Sequence, residues 1–239
     1  MHHQRIPIKD AENHLCYPDN KPDYCKKLAK KIENTGITSI VSYGKTRLYK
    51  RDINILGKGW SSIVVLAETK NKQLVAIKIR RTDSRRQTLY REALFLKTAS
   101  HYKIAPKTYY IDKDFIIMQP ILGHTLDIID KTSKQQCILI TRRLLWKTYL
   151  LDRIGISHNE LKNPYNHVLL DQNYEPYIID YESATIKQKP KNTTQTLSAL
   201  IKKKPQCINT SPEIIKTLKT YKKHPTLHNL EKILKQIID

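Results

Sequence analysis

The sequence predicts an α+β fold, with an antiparallel β-sheet lobe carrying one main helix followed by a reduced, mainly helical lobe. Three observations predict it. Short runs rich in β-branched residues, separated by polar turns, crowd the region from Leu48 to Met118. One helical period interrupts them between Gln87 and Thr98, and after Lys134 helical spacing dominates. The expected division is an N-terminal extension over 1–46, a sheet lobe over 47–119 and a helical lobe over 120–239, with Pro120 and Gly123 marking the boundary.

Taken in order, residues 1 to about 20 mix His, Pro, Asn and Asp without period and read as a loosely ordered arm. Asp23–Glu33 reads as a helix, because Leu28 and Ile32 fall four apart on one face. The stretch 36–44 turns to β-rich composition, and three strands follow at Ile53–Leu56, Ile63–Ala67 and Leu74–Ile79, the last two joined by a Lys-Asn-Lys turn at 70–72. A basic loop, Arg80–Arg86, leads into the helix at 87–98. Tyr109–Ile111 and Phe115–Met118 form a hairpin across Asp112-Lys113-Asp114, and Gln119–Gly123 leaves it as an extended connector. A long amphipathic helix spans Lys134–Arg153, with Ile138, Leu144, Leu145, Tyr149 and Leu150 inward. Shorter helices are expected over Thr196–Lys202, Pro212–Lys222 with Ser211 as cap, and Leu227–Ile238. No internal repeat is present.

At 239 residues and 28.0 kDa the chain is long enough for a core in each lobe without disulfides. Its four cysteines, Cys16, Cys25, Cys137 and Cys207, are scattered, and His14-x-Cys16 to Cys25 lacks a second ligand pair, so free reduced thiols are expected. No run approaches the roughly 18 consecutive apolar residues of a membrane span, and the polar N-terminus lacks a signal peptide's apolar core. The expectation is a soluble, cytoplasmic protein that does not associate with membranes. Lys and Arg outnumber Asp and Glu by 43 to 22, a formal +21 with a pI near 9.7, which favours polyanionic partners such as RNA, a ribosomal particle or nucleotides. The basic residues cluster at Lys78–Arg86, Lys187–Lys191, Lys202–Lys204 and Lys216–Lys223; a solvated lysine surface is the plainer reading of such runs.

Chemistry concentrates in three places. Gly57-Lys58-Gly59-Trp60-Ser61-Ser62-Ile63-Val64 is a turn whose glycines let backbone N–H groups approach an anion, with Val64 placed to face a nucleotide base; an ordinary hairpin also needs glycine there. In Val75-Ala76-Ile77-Lys78, alternation puts Ala76 and Lys78 on one face and Val75, Ile77 and Ile79 on the other. Leu89, Glu92, Ala93 and Leu96 share a helical face, so Glu92 sits in an apolar stripe and needs a cation, for which Lys78 is the candidate. The densest stretch is His158 to Glu182. It holds a polar loop with Asn159, Glu160, Lys162, Asn166 and His167, a hairpin over Val168–Ile179, and then Asp180-Tyr181-Glu182. A base candidate on one side and a carboxylate on the other suit phosphoryl transfer at a metal-bound phosphate.

Gly57, Gly59, Val64, Lys78 in Val-Ala-Ile-Lys, Glu92, His158, Lys162 and Asp180 together resemble the protein kinase superfamily in order and spacing, over roughly residues 50–185. The chain looks closest to compact archaeal-type atypical kinases allied to the RIO kinases and to the small kinase of the KEOPS complex, because Asp-Tyr-Glu replaces Asp-Phe-Gly and the C-terminal part is short. The resemblance implies a two-lobe protein kinase-like fold, ATP and Mg²⁺ as ligands and either serine/threonine phosphorylation of itself or of an unknown protein acceptor, or ATP hydrolysis by a kinase-fold ATPase. It implies that Gly57, Lys58, Gly59 and Ser62 cover the phosphates, that Lys78, oriented by Glu92, contacts them, and that Val64, Ala76, Met118, Gln119 and Ile121 surround the base. Asp180 would hold Mg²⁺, and Lys162 would lie near the γ-phosphate. Two departures stand out. The family's catalytic aspartate is Glu160 here, and the second metal ligand is either Asn166 or, counting back from the following strand, His167, of which the asparagine oxygen suits Mg²⁺ better. Ser211-Pro212-Glu213 reads as a plain helix start.

Two other readings compete. One is a kinase-fold nucleotide-binding module, without turnover, that docks RNA or a ribosomal particle; the other is a small-molecule kinase, against which the basic composition speaks.

Overall fold

The computed structural model describes residues 4–19, 21–48, 52–208 and 210–237. They form two compact units, one of the residues up to Leu94 with Lys107–Pro120, the other of Phe95–Pro106 with the residues from Ile121 onward. The expected α+β class holds, a sheet-rich first unit and a mainly helical second.

The first unit is built on an antiparallel sheet. Its strands are β1 (Arg5–Pro7), β2 (Ile37–Val41), β5 (Gly57–Lys58), β6 (Ser62–Thr69), β7 (Leu74–Arg80), β8 (Thr108–Ile111) and β9 (Phe115–Met118); β3 (Thr46–Leu48) and β4 (Ile53–Ile55) pair separately. The order is β1-β2-β6-β7-β9-β8, with β5 on β6. One face, with Ile63, Val65, Ala67, Val75, Ile77, Ile79, Phe115 and Ile117, joins a core completed by Leu28 and Ile32 of helix α2 (Pro22–Asn34). Alternation in β7 is as the sequence predicts, since Val75, Ile77 and Ile79 lie in this core and Ala76 and Lys78 on the other face.

The N-terminal arm is ordered, contrary to expectation. β1 pairs with β2, a short helix α1 (Glu12–Leu15) follows, and Ile6, Ile8, Ala11, Leu15 and Cys16 are buried in the same core. Its strand is three residues long, too short for a period of two to be seen in sequence. The cysteines also differ from expectation. Cys16–Cys25 and Cys137–Cys207 are disulfides, with Cα atoms 5.7 and 5.6 Å apart, and no described cysteine is free. Partners 70 residues apart in sequence carry no spacing signal.

Helix α3 (Tyr90–His101) begins in the first unit and continues into the second, and it starts three residues later than its periodicity suggests, because the Leu89 N–H is held by the Lys113 carbonyl at 2.8 Å. Helix α4 (Lys134–Arg153) has the expected bounds, set by a capping box in which the Ser133 hydroxyl accepts from the Gln136 N–H. Leu144, Leu145 and Tyr149 are buried on it, whereas Ile138 and Leu150 lie at the edge of the stripe. Around α4 stand a small sheet of β10 (His124–Thr125), β12 (Val168–Leu170) and β13 (Pro176–Ile178), a pair of β11 (Ile156–Ser157) with β14 (Thr185–Ile186), and helices α5 (Asn192–Lys203), α6 (Pro212–Lys223) and α7 (Leu227–Gln236). No helix of the described residues is long and apolar enough to cross a membrane.

Candidate functional site

The candidate residues form two constellations, each within its own unit. In the first unit the register of the sheet does the assembling. Val64 stands opposite Lys78, Lys78 opposite Ile116, Ala76 opposite both Leu66 and Met118, and Gly57 opposite Val64. Directly opposed residues share a face and a strand repeats every second residue. Val64, Ala76, Lys78 and Met118, chosen from sequence at four separate points, therefore lie on one face of three adjacent strands.

Lys78 is 7% exposed and Glu92 3%, and Lys78 Nζ bonds Glu92 Oε1. The expected ion pair is thus present. A charge out of water needs a partner of opposite sign, and the pair supplies one. The glycine turn closes on itself, as the Gly59 N–H donates to the Ser62 carbonyl at 2.8 Å. Yet a Cβ on Gly57 would meet nothing within 4 Å, and one on Gly59 only the Ser62 oxygen at 3.6 Å, whereas one on Gly123 would lie 2.1 Å from the Leu170 oxygen. Packing requires glycine at 123; none of the described residues crowds 57 or 59. Trp60 at the tip is 94% exposed, and Lys58 reaches the Tyr17 hydroxyl at 3.4 Å. Beyond β9, the Gln119 N–H is committed to the Lys107 carbonyl at 2.8 Å, and Ile121 lies half-buried in the second unit.

The basic run 78–86 is not one exposed face. Lys78 is paired with Glu92, Arg80 donates to Asp114 at 2.8 Å and Arg81 to Asp83 at 2.6 Å. The lysines at 187–191, 202–204 and 216–223 are exposed.

The second constellation sits on irregular backbone after β11. Asn159 and Asp180 both adopt left-handed conformations, φ 71° and 66°, which Asn and Asp tolerate better than other side chains. Asn159 ties the loop together: its Nδ2 donates to the Ser183 carbonyl at 2.7 Å and to Thr185 Oγ1 at 3.0 Å, and its Oδ1 accepts from Ser157 Oγ and Lys187 Nζ, each at 2.8 Å. Asn192 does the same from behind. Its Oδ1 accepts the His158 N–H at 2.9 Å, and its Nδ2 donates to the Ile156 carbonyl at 2.7 Å and to Asp152, whose carboxylate also takes the first N–H groups of α5.

His158 is fully buried, with Nε2 2.9 Å from the Ile179 carbonyl. Burial pulls its pKa down to about 4, so the ring is neutral at pH 7. Glu160 Oε1 accepts from Ser183 Oγ at 2.8 Å, and its Oε2 lies 3.5 Å from His167 Nε2. Of the two candidate metal ligands, His167 is half-buried against Glu160 and Asn166 is exposed; Lys162 is exposed too. Ser183, Asn192 and the role of Asn159 were missed from sequence; polar residues flanking a charged candidate within the same loop or at a helix start were the available signal.

No protein-family model matches the chain. Over 116 residues it is 34% identical to a probable myosin light chain kinase of Dictyostelium discoideum, a stretch that covers 45% of this chain and 37% of that protein. The similarity to a kinase is partial, and the chain spans well under half of that relative's length.

Proposed function

We propose that the chain is an ATP-dependent phosphoryl-transfer enzyme, a compact atypical serine/threonine kinase of the RIO-allied type acting on its own or another protein's hydroxyl. The observation that carries this is the sheet face on which Val64, Ala76, Met118 and a buried, paired Lys78 stand together. A buried lysine held by a carboxylate suits polyphosphate, and the three apolar side chains suit a purine ring. That no described residue crowds Gly57 or Gly59 is what a loop lying over phosphates needs. In this reading Lys78, held by Glu92, binds ATP phosphates, and Asp180, with His167 or Asn166, is the donor set for Mg²⁺, which when bound neutralises phosphate charge. Ser183 fixes one oxygen of Glu160 and so orients the other to take the acceptor's proton.

A second reading is a nucleotide-binding module without turnover that docks RNA through the exposed lysines of α5 and α6. It is favoured by Glu160, whose two oxygens already face Ser183 and His167.

The test is transfer of labelled γ-phosphate by purified protein with Mg²⁺, comparing the parent with Asp180→Ala and Glu160→Ala. The proposal expects label on protein, or released phosphate, that disappears in Asp180→Ala, with Glu160→Ala reporting on the base. ATP binding without turnover in the parent would leave the RNA-docking reading.

A further inference from the structure

The geometry points to a divalent transition-metal site formed by His158, Glu160 and His167. The inference does not rest on phosphoryl transfer. It concerns what these three side chains bind as a set.

The first observation is the state of His158. A carbonyl oxygen only accepts, so the bond to Ile179 puts the proton on Nε2 and leaves a lone pair on Nδ1. That Nδ1 is buried and has no hydrogen-bond partner among the described residues. An imidazole that donates one N–H to a backbone carbonyl and keeps the other nitrogen bare is how metal-bound histidines are oriented. A bare buried acceptor is destabilising unless something binds it.

The second is convergence. One ligand atom from each of His158, Glu160 and His167 lies within 4.8 Å of the other two. The two rings meet edge to face with centroids 5.3 Å apart, and His167 Nε2 is already 3.5 Å from Glu160 Oε2. Ser183 holds the far oxygen of Glu160, the outer hydrogen bond that carboxylate ligands usually have. Two imidazole nitrogens and a carboxylate oxygen form a borderline donor set, suited to Zn²⁺, Co²⁺ or Mn²⁺ and poorly suited to Mg²⁺, which takes oxygen. Three protein ligands leave at least one coordination position open.

The experiment uses the full chain stripped of metal and free of nucleotide, titrated with Co²⁺ and followed by its visible absorption, then challenged with Zn²⁺ and with Mg²⁺. One Co²⁺ per chain is expected, displaced by Zn²⁺ and not by millimolar Mg²⁺. Affinity should fall at least about ten-fold in His167→Ala and in Glu160→Gln. These two positions are partly exposed, and urea melts confirm that each variant is folded. His2 and His3 could bind metal by themselves, so His2→Ala/His3→Ala serves as the control and should keep full binding. No stoichiometric binding, binding that survives both site variants, binding lost with His2 and His3, or displacement by Mg²⁺ would each overturn the site. The readout needs no ATP, so failure of the kinase reading leaves it intact and its own failure leaves the kinase reading intact.

Discussion

Each unit buries a lysine, and the two are held in different ways. Lys78, 7% exposed, is paired with Glu92 and stands on a sheet face shared with Val64, Ala76 and Met118. Lys147 of α4, 6% exposed, meets Glu175 Oε1 at 2.6 Å, donates to the Pro176 carbonyl and lies 4.5 Å over the Tyr177 ring. Burial pulls the pKa of Lys147 down while Glu175 pushes it back. The surroundings of Lys147 amount to a structural clamp between a helix and a β-hairpin. Lys78 is fixed by a carboxylate, beside a glycine turn that packing does not require. Burial alone therefore does not separate the two lysines; what shares their faces does.

The largest effect that sharpens this contrast comes from deleting each partner. Glu92→Leu takes the Glu92 carboxylate from the buried Lys78 ammonium and should lower unfolding free energy by about 3–5 kcal/mol in urea titrations. Glu175 is 32% exposed, so Glu175→Leu should be milder, about 1–2 kcal/mol, because the Pro176 carbonyl still accepts from Lys147. Equal losses would erase the distinction.

Next comes acid. His158, its folded pKa depressed to about 4 by burial, stays neutral in the native protein while the unfolded chain protonates near 6.5. Its contribution is therefore complete above pH 6.5 and lost as pH falls toward 4, by about 3 kcal/mol. In metal-free protein, the drop in stability from pH 7 to pH 4.5 should be smaller in His158→Asn than in the parent; the same pH slope in both would contradict the assignment.

A smaller effect is expected from Asn192→Ala, which strips the His158 N–H and the Ile156 carbonyl of their partners and should cost about 2 kcal/mol in urea titrations. A loss below about 0.5 kcal/mol would mean that water replaces Asn192 readily.

The first unit was the more legible because its candidates lie on regular elements. Alternation in β7 gave the face of Lys78, and helical spacing gave the position of Glu92. The second constellation lies on backbone with left-handed residues at 159 and 180, where no period operates, so the loop's residues could be named while their partners could not. Asn192 is 34 positions from His158, and Cys207 is 70 from Cys137; such pairings belong to the fold and not to local spacing. The N-terminal arm was misjudged because its buried residues spread over a three-residue strand and two short helical turns.

The measurement that tests the central claim most directly compares labelled γ-phosphate transfer by Lys78→Met and Lys147→Met, normalised to folded protein. Lys78→Met should lose at least about 100-fold, as expected when a preorganised cation is removed from a reacting phosphate, while Lys147→Met stays within about three-fold of the parent. Equal loss in both variants, or transfer that survives Lys78→Met, would mean that Lys78, like Lys147, only holds the fold together.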